Sequence, residues 1–261
     1  MVVLTSPYGQ TSNQFFQHIH LDSFCRDNGI EFYNKFLLAH SVHYPNLKLQ
    51  QATKRIRWIA QMGALLKLAG VEFGDELQNE QYKLMILKSK FLFCNGWIFR
   101  SHETTAKYRS YYQQLFDPAI DKKTVDKLWL SKTSSSEKII GVHIRRGDYK
   151  TFAEGIYFYE DVVYIDKMQQ LVLIFNNDCR FIIFSDDKEL KITKFKEYFP
   201  ALVVSDNTIS TDHYLLSKCD YIIGPPSTFS LWASYIGETP CYHIYDQEKH
   251  ISFNDFSVSR G

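Results

Sequence analysis

Short apolar runs that do not alternate with polar residues punctuate this chain, and stretches of helical spacing separate them. "VVLT" (2–5), "IEFY" (30–33), "KIIGVHI" (138–144), "CRFIIFSDD" (179–187), "ALVVSDN" (201–207), "DYIIG" (220–224) and "PCYHIY" (240–245) read as strands. Between them, 158–175, 189–199, 210–219 and 228–237 read as helices. Apolar runs joined through helices indicate parallel sheets buried on both faces. The expected fold class is therefore α/β.

The first half follows the same rule less clearly. A helix opens after the Pro7–Gly9 loop, with Ser12 as its cap and Phe15, Ile19 and Phe24 on its buried face, and Asn28-Gly29 closes it. Residues 51–70 carry an amphipathic helix with Lys54, Arg55 and Arg57 at its start, suited either to docking on a sheet or to a membrane surface. Residues 82–100 give one or two strands and a turn at Asn95-Gly96. Residues 103–116 give a helix capped by Thr104 or Thr105. "SKTSSSEK" (131–138) has no apolar residue and reads as a linker. The expected domains are 1–132 and 133–261.

Composition narrows the function. A chain of 261 residues with net charge +1 lacks the basic excess of a nucleic-acid binder, so no nucleic-acid partner is expected. Its five cysteines are scattered without C-x-x-C spacing, which argues against zinc and against a disulfide framework. Neither a signal-like start nor a membrane-length apolar run is present. A cytoplasmic protein, at most peripheral to the inner face of a membrane, is the expectation; oligomeric state is open.

The chemistry gathers at strand ends. In a doubly wound sheet, ligands bind outside the carboxyl ends of the strands. His143, Arg145 and Arg146, then Asp186 and Asp187, then Ser205 to Asn207, then Ser227 and Thr228 all fall there. An arginine in that position offers a rigid fork to a phosphate. Strand alternation puts His143 and Arg145 on one face, so Arg145 is the expected ligand group and Arg146 the structural partner of Asp148. Ser227 and Thr228 open an apolar helix, where hydroxyls and free N–H groups suit an anion or simply cap the helix. Asp186 suits a base edge better than a metal. Asn13 and Gln14, in the first strand–helix loop, could reach a phosphate or sugar hydroxyl.

Together these segments resemble a known family. "HIRRGDY" is similar to the H-x-R-R-x-D motif of α-1,2- and α-1,6-fucosyltransferases. "GQTSNQFFQ", "GWIFRSHETTAKYRSYYQQLF" and "LLSKCDYIIGPPSTFSLWASYIG" resemble segments of bacterial α-1,2-fucosyltransferases, glycosyltransferase family 11. Thr11 or Ser12 departs from a family glycine, Gly224-Pro225-Pro226 from an asparagine, and Leu231 from a tryptophan.

The resemblance implies a GT-B fold of two Rossmann-like domains, an acceptor-side one and a GDP-sugar-binding one. It implies inverting, metal-independent transfer of L-fucose from GDP-β-L-fucose to a glycan hydroxyl, expected at galactose O2, with no cofactor. Arg145 would neutralise the departing diphosphate. His143 and Asp186 would contact the nucleotide, Ser227 and Thr228 its phosphates, and Asn13 would reach in from the other domain. Glu154 is the expected base. The alternatives are another nucleotide-sugar on the same fold and a non-catalytic nucleotide or glycan module.

Overall fold

A computed structural model describes residues 1–50 and 70–261. The helix expected at 51–70 lies, but for its last residue, outside the described residues. The chain forms two compact units, Met1–Ala119 with Arg260–Gly261, and Ile120–Ser259. The composition break at 131–138 placed the division later, at 132/133. The packing of helix Lys122–Trp129 explains the offset, since Val125, Trp129 and Leu130 lie against the core of the second unit.

In the first unit, strands β1 (Val2–Leu4), β2 (Phe32–Tyr33), β3 (Val71–Phe73) and β4 (Leu92–Gly96) form a wholly parallel sheet in the order β2-β1-β4-β3. Helix α1 (Thr11–Asp27) is buried continuously from Phe15 to Cys25, so its sequence has no polar face to display. Ser12 does not cap it: the helix begins one residue earlier, Gln10 holds the cap position without a side-chain bond, and Ser12 is buried in the first turn. Residues 79–88 are helix α2, not strand, because Tyr82 and Ile86 recur at helical spacing against the sheet. The strand is found at Leu92–Gly96, but Asn95 and Gly96 are not a turn: they continue β4, paired with Glu72 and Phe73 of β3, and Gly96 takes φ +94°.

Residues 102–115 make two helices, α3 (His102–Lys107) and α4 (Arg109–Leu115), broken at Tyr108. Thr104 and Thr105 are not caps. Thr104 is buried and bonded to Ser101 and Ser23, and Thr105 donates to the Arg260 carbonyl, tying the last residues to this unit.

The second unit is a five-stranded parallel sheet in the order β7-β6-β5-β8-β9. Its strands are β5 (Lys138–Ile144), β6 (Cys179–Ser185), β7 (Val203–Val204), β8 (Tyr221–Gly224) and β9 (Cys241–His243). Helices α5 (Lys122–Trp129), α6 (Asp161–Ile174), α7 (Ile192–Tyr198), α8 (Ile209–Lys218) and α9 (Thr228–Gly237) flank it. Alternate residues of β5 enter separate cores: Ile140, Val142 and Ile144 pack with Tyr164 and Met168, while Ile139 packs with Leu215 and Ala233. That double burial is why the run is apolar without alternation. Among the described residues no helix is long and apolar enough to cross a membrane.

Both units bury histidine without charge. His18 in α1 is caged by the rings of Phe32, Tyr112 and Phe116, and neither ring nitrogen has a hydrogen-bond partner. Burial pushes its pKa down to about 4, against a smaller opposing pull from Asp22. His143 is pushed down to about 3 and His243 to about 4, again by burial.

A base with a lowered folded pKa takes up a proton on unfolding, so stability falls as pH drops below about 6.5 and levels off near the folded value. For His18 the loss is about 3 kcal/mol. Asp212, pushed up to about 6 by burial, acts in the opposite sense from about pH 6 downward, over most of that window. Melting curves from pH 7 to pH 4 should show the fall, and His18→Leu should flatten it. A variant curve parallel to wild type would overturn the assignment.

Candidate active site

Strand β5 lies between β6 and β8, and the chain order reverses there: β6 and β7 extend one way, β8 and β9 the other. Ligands of open parallel sheets sit at such a switch point, outside the carboxyl ends. The loop after Ile144 leaves one side of it and the loop after Gly224 leaves the other. The two strand ends approach so closely that a Cβ on Gly224 would fall 2.5 Å from the His143 carbonyl oxygen. Glycine is required at 224 for that reason.

Arg145 is the first charged side chain past β5. Its Nε and Nη2 each donate to Asp148, at 2.9 Å to Oδ1 and 2.9 Å to Oδ2. The Asp186 carboxylate lies 3.8 Å from Nε, and the Tyr149 ring lies beneath the guanidinium at 5.4 Å. The hydrogen bonds from Arg145 hold the Asp148 carboxyl below its ordinary range.

The expected pair of Arg146 with Asp148 is not formed. Arg146 turns away and donates to Asp161 at 2.5 Å, to Asp187 at 3.4 Å and to the Tyr159 carbonyl. Consecutive residues leaving a strand point to opposite faces. Asp148 opens a short 3-10 turn three residues after Arg145, which returns its carboxylate to Arg145 instead. Asp148 is still a holding group, and the arginine it holds is Arg145, the first residue past β5.

Asp186 accepts the Arg146 backbone N–H at 2.8 Å through Oδ1, so one oxygen already shapes the β5 turn. Asp187 caps its own turn through the Glu189 N–H. His143 is buried against Phe229 with centroids 4.9 Å apart, and its Nδ1 has no hydrogen-bond partner. Its lowered pKa makes it a neutral ring. Ser227 is the N-cap of α9 and accepts from the Phe229 N–H at 3.2 Å; Thr228 is the helix's first residue. Among the described residues no three His, Cys, Asp or Glu side chains converge as a metal-ligand set.

Glu154 lies in an exposed loop. Ala153, Glu154 and Gly155 all have positive φ, at +48°, +59° and +79°. Two successive non-glycine residues in the left-handed region store strain that functional loops tend to hold.

Asn13 and Gln14 belong to the first unit and lie in the first turn of α1, not in the loop before it, because the helix already begins at Thr11. Gln14 donates to the Gly9 carbonyl and its Oε1 lies 3.0 Å from His40 Nε2. Asn13 packs so tightly on Gly9 that a Cβ there would overlap its amide. Sequence reasoning missed Gln17, which is buried and bonds the Gly96 carbonyl at 2.7 Å while accepting from the Tyr8 N–H. It also gave no role to Tyr149, although that residue closes the quoted "HIRRGDY" segment.

The pattern of glycosyl transferase family 11 matches residues 75–249, well over half of the chain. The chain belongs to glycosyl transferase family 11. Among curated relatives of this family 11 chain, an Escherichia coli α-1,2-colitosyltransferase is 28% identical over 61% of it. The match spans 57% of that relative's length, so the chain covers little more than half of it.

Solved structures share the fold of the family 11 chain at low identity. Arabidopsis thaliana FUT1, a mutant in complex with GDP, superposes with TM-score 0.61 at 12% identity, covering 98% of this chain and 73% of its own. NodZ α-1,6-fucosyltransferase, soaked with GDP-fucose, gives TM-score 0.55 at 13% identity, covering 93% and 94%. These likenesses establish for the family 11 chain an α/β GT-B fold with two Rossmann-like units.

Proposed function

We propose that the protein transfers L-fucose from GDP-β-L-fucose to a glycan hydroxyl, expected at galactose O2, with inversion at the anomeric carbon. The observation that carries this reading is the pairing of Arg145 and the Ser227-capped start of α9 on the two sides of the switch point. Family membership narrows the reaction to glycosyl transfer. The solved relatives with GDP or GDP-fucose favour a guanine nucleotide donor.

In this reading the acceptor oxygen forms its bond to the anomeric carbon as the bond to the diphosphate breaks. Negative charge develops on the leaving GDP. Arg145, oriented beforehand by Asp148, and the first N–H groups of α9 meet that charge without reorganising. Glu154 takes the acceptor hydroxyl's proton. Asp186 and the neutral His143 border the nucleotide, with Thr228 at its phosphates. The second unit, Ile120–Ser259, is the nucleotide side and the first the acceptor side. No metal is required, since arginine supplies the compensating charge, and no nucleic acid takes part. The enzyme works in the cytoplasm, with at most peripheral contact to a membrane.

A second reading, colitosyl transfer through the same site, is favoured by the Escherichia coli relative. Calorimetry with GDP, UDP and dTDP should show tightest binding for GDP. Linkage analysis after incubating GDP-fucose with a panel of galactosides should return an α-1,2 product, unaffected by EDTA. Tightest binding of UDP would overturn the donor; strong inhibition by EDTA would overturn the metal-free mechanism.

A further inference from the structure

Beyond Val142 and Ile223 the ladder between β5 and β8 ends, and β8 continues by pairing Gly224 with His243 of β9. The loop carrying Arg145 and the loop carrying Ser227 therefore leave the sheet without backbone bonds of that ladder to fix their separation. Tyr149 spans the gap. It is buried, and its hydroxyl donates to the Pro226 carbonyl, the residue before the cap of α9. One ring face lies under the Arg145 guanidinium, with 5.4 Å to the centroid. The ring stacks with Phe152 at 5.2 Å and 26° between planes, and Phe152 is half-exposed.

We propose that Tyr149 is a positioning residue that sets the spacing between Arg145 and the amino-terminus of α9, so that both meet a single diphosphate. This rests on the nucleotide-sugar reading above. The argument is geometric. A diphosphate is short and rigid, and donors on two separate loops grip it together only when their distance is fixed in advance. Asp148 fixes the direction of the Arg145 fork but sits on the same loop, so it does nothing for the distance to α9. The phenol does both, through its ring on one side and its hydroxyl on the other. A tyrosine needed only to fill the core would keep its function as phenylalanine.

The test uses the whole protein and three variants. Tyr149→Phe keeps the ring and removes the latch. Tyr149→Leu removes both. Phe152→Ala loosens the outer stack at a half-exposed position and so leaves folding intact. Tyr149→Phe should lower kcat about tenfold, the scale of one lost hydrogen bond, with a smaller change in donor KM and little change in melting temperature. Tyr149→Leu should lose more, and Phe152→Ala should fall between wild type and Tyr149→Phe.

Calorimetry with GDP and with inorganic pyrophosphate separates the two levels of inference. Weakened binding of both probes in Tyr149→Phe supports the latch. If pyrophosphate binds the wild type and GDP binds no better, the guanine donor falls, and weaker pyrophosphate binding by Tyr149→Phe still supports the latch. If GDP binds the wild type and Tyr149→Phe matches it in affinity and kcat, the latch is overturned and the donor reading stands. If neither probe binds the wild type, both are overturned.

Discussion

Arg145→Lys is expected to lower turnover by about 10²–10³, the usual effect of removing one pre-aimed donor from a developing anion. A lysine keeps the charge and loses the planar fork. Here the fork has two jobs. Its Nε and Nη2 edge makes the paired bonds to Asp148, and that pairing fixes the direction of the rest of the group. An ammonium makes neither the paired bonds nor the flat contact with the Tyr149 ring. The fold should barely notice. Asp148 is half-exposed, so the pair contributes about 1 kcal/mol or less. Turnover of GDP-fucose and the melting temperature measured on the same preparation check both halves. Turnover within a few-fold of wild type would mean that Arg145 does not face the diphosphate.

The neighbouring arginine should behave in the opposite way. Arg146→Ala is expected to destabilise the second unit by about 3–5 kcal/mol, the range for breaking a buried ion pair from one side. Asp161, at the first position of α6, and the Tyr159 carbonyl both lose their donor. The side chains of Arg146 and Asp161 are each only 11% exposed, so water does not replace the bond. Lys194, 3.5 Å from the other Asp161 oxygen, offsets some of the loss and places the result toward the lower end. Removing both partners at once, as in Arg146→Met with Asp161→Leu, should cost less than the single change. Urea unfolding measures all three. An Arg146→Ala variant as stable as wild type would show that Asp161 is satisfied elsewhere.

Two adjacent, chemically identical residues thus take different partners, Arg145 pairing with Asp148 and Arg146 with Asp161. The sequence showed that Asp148 holds one of the two. It assigned Asp148 to the wrong arginine, because alternation separates Arg145 from Arg146 but does not extend to the 3-10 turn that begins at Asp148. Past Ile144 the chain enters a 3-10 turn, and a three-residue return brings 148 back under 145. Asp161, the true partner of Arg146, lies fifteen residues on at the start of the next helix, and no local spacing rule connects the two.

The same contrast separates the two halves of the chain. From 138 onward the strands and α-helices were legible, because the central strands β5, β6 and β8 are buried on both faces and their apolar runs stand out. Before 120 the elements were less so. Helix α1 is buried on all sides and has no stripe to read. Helix α2 was mistaken for strand because a short run such as "YKLMILK" suits either period, and only its contacts choose. Tyr108 breaks 103–116 into two helices without a proline or glycine to announce it.

What the sequence determined by itself was the α/β alternation, the parallel sheets, and the placement of charged groups at the carboxyl ends of strands. Those follow from burial and chain direction, which are written in consecutive residues. What only the tertiary structure decided was the strand order, and with it the switch point beside β5. It also decided which acid holds which arginine, and the bond from Tyr149 to the loop of Ser227. These depend on groups far apart in the chain, whose meeting is fixed by packing and by no spacing a sequence displays.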